Sequence, residues 1–461
     1  MTHHPPSPIQ NPQKALWAIC LSAFLVPFMG SALNLALPEI SEAFSLKAVT
    51  LTWMATSYML STAIFQIPFA RMGDLIGRKK VFIMGVTGFS LCTLLSGFAF
   101  SGTMMIILRF ITGMCSAMMF GTNIAILTSL YPPEKRGKIL GINTAVVYAS
   151  LAVGPLLGGL LTHYLGWRSI FFVTCGVGLM AAVMARIFIS GEWVESKGEK
   201  FDYKGSMVYG VALTGFIVGC TQLPNISGFA LILFGIATFV LFVCYEQKCR
   251  FPVFNVKLFS SNKIFALSSL SAFINYASTS AIIFMLSLYL QFVRGFDAQH
   301  AGLILISQAC VQAFFALFSG RLSDKIAPSI LATTGMAVIV LGIIGLIFLT
   351  TDTSVQYIVA LLFLLGVGFG LFSSPNTNVI MGSIEKKYYG QASAVTGTMR
   401  LAGQALSMGI AGMAIALQMG NQKITPEVHP QFLSSMQITF IIFAVLCTVG
   451  VFASAQRAKR G

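Results

Sequence analysis

Charge is scarce in this chain: 43 of its 461 residues are Asp, Glu, Lys or Arg, or 9%, against roughly a quarter in a soluble globular domain. A soluble protein of this length is thereby excluded. Acids are scarcer still, 14 against 29 Lys and Arg. The five histidines, at 3, 4, 163, 300 and 429, fall in terminal or loop stretches. The nine cysteines show no CxxC spacing, so neither a zinc site nor a disulfide framework is suggested. There is no HExxH, no His/Asp cluster and no Ser/His pair within an apolar stretch, which argues against an enzyme embedded in the membrane. No cofactor site is expected.

What the chain has in abundance is hydrophobic residues, 56% of the total. They form runs long enough to cross a hydrocarbon core of about 30 Å, which takes about 20 residues per helix. Fourteen such spans can be separated: 15–37, 50–70, 81–100, 104–129, 139–162, 169–189, 205–222, 228–245, 264–291, 300–319, 329–350, 356–381, 390–416 and 434–455. The first is longer than a signal-peptide core of about 7 to 15 residues and reads as a retained helix. An all-α integral membrane protein lying in a lipid bilayer follows. The net charge of +15 would suggest nucleic acid in a soluble chain, but here its distribution excludes that partner. With the N-terminus inside, 23 of the 29 basic residues fall on the cytoplasmic side, counting Arg186 at the inner end of span 6, with 4 outside and 2 deeper within spans. This is the positive-inside bias, and an even span count puts both termini in the cytoplasm.

An internal repeat emerges when the halves are compared. Residues 70–76 resemble 320–326, pairing Asp74 with Asp324 at an offset of 250, and Arg136-Gly137 resembles Tyr389-Gly390 at an offset of 253. The repeat closes only if spans 7 and 8 are an insertion. The expected organisation is a six-helix bundle at 1–204, an inserted pair with its linker at 205–262, and a second six-helix bundle at 263–461. Two such halves are a plan of many secondary transporters, with the site at the midplane between repeats.

Three motifs carry chemistry. The loop from Gly73 to Lys80 combines Asp74, a turn-permitting Gly77 and the basic cluster Arg78, Lys79 and Lys80. It is either a solvated turn or a gate in which the acid meets a helix start from the other half, where the dipole favours negative charge by about 0.3–1 kcal/mol. Span 5 holds Ser150, Gly154, Pro155, Gly158 and Gly159: small residues allow close backbone approach, and Pro kinks the helix. Arg109 and Arg400 are the two charges away from the span ends, and an unpaired Arg at mid-membrane costs at least about 2.5–3.5 kcal/mol. Each reads either as a clamp on backbone carbonyls or as a cavity cation that attracts an anionic or acceptor-rich substrate.

Taken together, these residues resemble the fourteen-helix drug:proton antiporter branch of the major facilitator superfamily. The stretch from Gly73 to Lys80 is similar to the superfamily's helix 2–3 signature, and Ser150 to Gly159 to its antiporter signature. Arg109 with Gly113, Asn34 to Pro38, and Thr398 to Arg400 also match the branch. Ala70 and Leu75 depart from the helix 2–3 signature, and Met29 stands where the branch commonly carries a proton-coupling Asp. The resemblance implies a major facilitator fold of fourteen transmembrane helices in the cytoplasmic membrane. It also implies alternating access and efflux of amphipathic small molecules, as in drug resistance, with protons as the coupling ion.

All fourteen acids map to loops or helix ends, so the chemistry of antiport lacks a titratable group at mid-membrane. A carrier without proton exchange, either a uniporter or one for an anionic metabolite or lipid, is the competing expectation. Glu39, just beyond span 1, is a candidate partner for Arg109, the pair then titrating in place of the missing Asp. The spans implied to line the cavity nominate Asn34, Arg109, Asn275 and Asn376, with Arg400, as substrate contacts. Asp74, Gly77, Arg78, Gly154, Pro155, Gly158, Gly159 and Asp324 are the expected gating residues.

Overall fold

The computed structural model describes residues 12–44, 48–296, 298–420 and 426–458. Among the described residues there are helices and no strand. The helices are α1 (Pro12–Phe44), α2 (Ala48–Ile76), α3 (Arg78–Gly97), α4 (Gly102–Leu130), α5 (Pro133–Leu165), α6 (Arg168–Phe188), α7 (Tyr203–Thr221) and α8 (Ile226–Lys248). Beyond them lie the short α9 (Lys257–Ser261), then α10 (Lys263–Ala277), α11 (Ile282–Leu288), α12 (Ala298–Leu322), α13 (Pro328–Ile347), α14 (Val355–Gly382), α15 (Tyr389–Met419) and α16 (His429–Ala458). Each apolar span has a helical counterpart. Among the described residues, twelve helical segments are long and apolar enough to cross a membrane, so the expected count of fourteen is met only in part. The two long helices outside that set are the more polar ones. α2 buries Ser57, Ser61, Thr62, Gln66, Arg71 and Asp74, and α7 opens on Tyr203, Lys204, Gly205 and Ser206.

The second correction concerns span 9, expected as one helix over 264–291. It is broken: α10 stops at Ala277, α11 resumes at Ile282, and a π-turn follows over Tyr289–Val293. Three consecutive hydroxyls explain the break. Ser278 Oγ donates to Ile274 O at 2.8 Å, Thr279 Oγ1 to Asn275 O at 2.6 Å, and Ser280 Oγ to Tyr276 O at 2.8 Å. Such side chains compete with the helical ladder for carbonyls. The Ala281 N–H donates to Ser407 Oγ of α15 at 3.0 Å.

The chain divides into two units. The first comprises Met1–Ser206, Cys249–Asn255 and Glu385–Gly397, and the second Met207–Lys248, Val256–Ile384 and Thr398–Gly461. In the first unit α2 packs on α4, α3 on α4 and on α6, and α1 on α5 and on α6. In the second, α12 packs on α14, α13 on α14 and on α16, and α10 on α16. Four of the five pairings recur in the same chain order, the α1–α5 contact being the exception, and glycines at matching positions permit two of them. A Cβ at Gly113 of α4 would lie 2.5 Å from Tyr58 O of α2, and one at Gly366 of α14 would lie 2.8 Å from Gln308 O of α12. Likewise Gly85 abuts Cys115 O, and Gly335 abuts Gly368 O. The repeat therefore extends from two loop motifs to the helix contacts themselves.

Candidate functional site

The α2–α3 corner is where sequence and geometry converge. Asp74, in the last turn of α2, and Arg78, the first residue of α3, are both fully buried and joined through Arg78 Nε and Asp74 Oδ1 at 2.8 Å. Arg78 also donates to Ser129 Oγ at 3.3 Å and to Lys386 O at 3.2 Å. Gly77 turns the chain between them at φ 117°, a left-handed conformation that favours glycine. Asp74 sits against the start of α15: a Cβ at Gly390 would lie 2.6 Å from Asp74 Oδ1. Its other oxygen has no hydrogen-bond partner among the described residues. Burial pushes the Asp74 carboxyl up to about 6, against the opposing pull of Arg78 and Arg71. Arg136, near the start of α5, lies over the Tyr389 ring at 5.4 Å. The acid thus faces a helix start drawn from the later half of the chain.

The linker after α6 is part of this corner. Glu192 accepts from the Lys79 and Lys80 N–H groups at 2.8 and 3.2 Å. It thereby supplies the α3 N-terminus with the cap that Gly77, having no side chain, cannot give. The Arg78 N–H donates to Trp193 O at 3.1 Å, and the Ser196 N–H to Asp74 O at 3.0 Å. Arg71 reaches Ser196 Oγ at 2.8 Å and forms an ion pair with Glu199. Nothing in the local sequence signals a cap placed 113 residues along the chain. Replacing Glu192 with Ala should cost about 0.5–2 kcal/mol, the usual range for a lost helix cap. Thermal unfolding of the purified protein would register this as a lower midpoint, and Glu192→Gln, which keeps an acceptor, should lose less.

The small residues of the second motif work as packing. Gly154 of α5 faces Ser31 of α1, and a Cβ at Gly158 would lie 2.7 Å from Ala32 Cα. Pro155 lies inside α5, and both it and Gly159 are half-buried. Asp324, the counterpart of Asp74, is half-buried in the turn after α12.

The expected substrate contacts are distributed unevenly. Arg109 is buried on α4, donates from Nε to Met54 O at 3.3 Å, and lies over the Tyr58 ring at 4.4 Å. Tyr58 in turn donates to Ser116 Oγ at 2.9 Å. Glu39 is exposed on α1, and among the described residues no ion pair joins it to Arg109. The expected Glu39–Arg109 pair is therefore corrected: α2 packs against α4 and offers a carbonyl and a ring face first. The Asn34 side chain lies outside the described residues. Arg400 is half-buried on α15.

In the second unit, Asn376 of α14 donates to Ser268 O of α10 at 3.3 Å. Asn275, one turn before the α10 break, is 1% exposed, and neither of its amide atoms has a partner. Ser268 and Ser269 of α10, Gln308 of α12 and Ser374 of α14 also keep buried polar atoms without partners among the described residues. Buried polar groups are normally hydrogen-bonded, so these atoms are unspent hydrogen-bonding capacity, and Ser268, Ser269 and Asn275 carry it on the helix that breaks after Ala277. The three serines were missed from sequence because hydroxyls are common in membrane helices. Among the described residues no group of three His, Cys, Asp or Glu side chains could hold a metal ion.

Comparison with known proteins agrees with this anatomy. The family model of the Major Facilitator Superfamily matches residues 19–408 and again 268–457. The chain is 24% identical over 434 residues to the riboflavin transporter RibZ of Clostridioides difficile (strain 630), covering 94% of each. It is 27% identical over 407 residues to the multidrug resistance protein Stp of Mycobacterium tuberculosis, covering 87% of this chain and 75% of that one. Among solved structures, the human organic anion transporter MFSD10 superposes with a TM-score of 0.72 over 98% of this chain and 100% of its own. At 12% identity, that likeness is one of fold. A family match across nearly the whole chain, repeated helix pairings and an acid–arginine corner at the α2–α3 loop together make this protein a multi-pass membrane transporter, not an enzyme, of the Major Facilitator Superfamily.

Proposed function

We propose that the protein exports amphipathic small molecules across the cytoplasmic membrane by alternating access, within the fourteen-helix drug:proton antiporter branch. On this reading the halves 1–204 and 263–461 alternate, 205–262 is an inserted pair, and both termini are cytoplasmic. The observation that carries it is the buried Asp74–Arg78 pair seated on the first turn of α15. That contact joins the two halves of the sequence and has to part whenever the cytoplasmic side opens. Asp324, Gly154, Pro155, Gly158 and Gly159 serve the same motion in supporting roles. Asn275, Asn376, Ser268, Ser269, Gln308 and Ser374 supply adaptable hydrogen bonds to substrate, with Asn34 and Arg400 as further contacts. Arg109 acts mainly as the clamp between α2 and α4. The name of the relative Stp, a multidrug resistance protein, supports the efflux direction.

A second reading, a carrier without proton exchange, is favoured by one observation. Met29 is buried at 2% exposure, with Thr174 as its polar neighbour, and among the described residues no acid lies in the middle of a helix. One experiment separates the two. The protein is reconstituted in liposomes enclosing a pH-sensitive dye, and cationic dyes or riboflavin are added. Antiport moves protons in the opposite sense to substrate, whereas substrate uptake with no pH change would overturn the proton-coupled reading and leave the uniporter.

A further inference from the structure

Two turns before Asp74 on α2 lies Gln66, 1% exposed, with neither amide nitrogen nor amide oxygen hydrogen-bonded among the described residues. It faces Gly397 of α15, where a Cβ would lie 2.5 Å from Gln66 Cδ and 2.8 Å from Gln66 Oε1. Seven residues earlier Gly390 faces Asp74, and between the two glycines Ser393 Oγ donates to Phe120 O of α4 at 2.9 Å. The first two turns of α15 thus present Gly390, Ser393, Ala394 and Gly397 on one face. α2 lays Asp74 at one end of this seam and Gln66 at the other. On α4, Gly121 packs against the main chain of this turn: a Cβ there would lie 3.2 Å from Gln66 O and 3.2 Å from Ala70 Cβ.

We infer that Gln66 is a positioning residue that keeps the α2–α15 contact reversible. Its amide is dry and unpaired while the contact is closed and is hydrated when it parts. A buried polar group without a partner is a standing penalty on the state that buries it, and here that state is the closed one. Close glycine packing pulls the helices together while the amide opposes closure, leaving neither conformation overwhelmingly favoured. The inference rests on the alternating-access reading given above.

The test uses the full-length protein in lipid nanodiscs, with spin labels at Lys80 and Lys387 and distance distributions measured by electron–electron resonance. The wild type should show a short and a long population. Gln66→Met, which keeps the length but removes both hydrogen-bonding groups, should raise the short-to-long ratio roughly ten-fold and slow transport. Gly397→Ala should shift the ratio the other way, and Gln66→Ala in that background, which clears the space, should restore it. The rescue distinguishes a seam effect from misfolding. Two populations in the wild type with Gln66→Met leaving their ratio unchanged would overturn the role of Gln66 and spare alternating access. A single population in the wild type and in every variant would overturn both.

Discussion

Asp74→Asn is expected to lower transport roughly ten-fold or more while changing substrate affinity less than about three-fold. Two effects compete at this carboxylate. The helix start of α15 favours negative charge by about 0.3–1 kcal/mol, but burial raises the carboxyl from 3.8 to about 6, and each such step of one is worth about 1.4 kcal/mol. Desolvation wins, so the closed contact holds the proton more tightly than a hydrated Asp74 does. The group's stabilisation of closure is therefore complete below about pH 3.8 and is lost as pH rises through about 6. Asn imitates the protonated acid and still offers Arg78 Nε an acceptor, so the variant should stay closed at every pH. Label distances across the α2–α15 contact should titrate near pH 6 in the wild type and stay flat in Asp74→Asn. Wild-type transport in that variant would remove Asp74 from the gate.

Arg78→Ala should be the more damaging change to stability. Arg78 is among the largest fully buried side chains, and its removal strands the Asp74 carboxylate and leaves Ser129 Oγ and Lys386 O without this donor. Breaking one side of a buried ion pair typically costs about 3–5 kcal/mol, enough to lower yield and thermal midpoint together. The deficit should shrink below pH 6, where a neutral Asp74 needs no counter-ion. Adding Asp74→Asn should recover part of it, since the stranded charge is gone. Arg78→Lys should not substitute, because a point charge lacks the planar fork that reaches three acceptors at once. A double-mutant cycle on thermal unfolding that found the two changes additive would refute the coupling.

The corner could be nominated from sequence because its residues are contiguous: Asp74, Gly77 and Arg78 lie within one short loop whose echo recurs at Asp324. What could not be read there is the other half of the network. Glu192, Ser196 and Glu199 reach it from a linker more than a hundred residues on, and Gly390 and Gly397 from the thirteenth span. Arg109 shows the same limit. Its depth in the span was legible, while the choice of Met54 O and the Tyr58 ring over Glu39 depends on which helix lies beside it.

The amino-acid sequence by itself determined the class of solvent, the helical spans and the two-fold repetition. Lipid demands long apolar runs whose backbone bonds close within each segment, and both are local properties of the chain. The tertiary structure alone decided the Glu192 cap, the partner of Arg109 and the dry amide of Gln66. Each depends on which groups are left unsatisfied once helices pack, and a composition of Ser, Thr, Gly and Gln suits a continuous lipid-spanning helix as well as a broken or gated one.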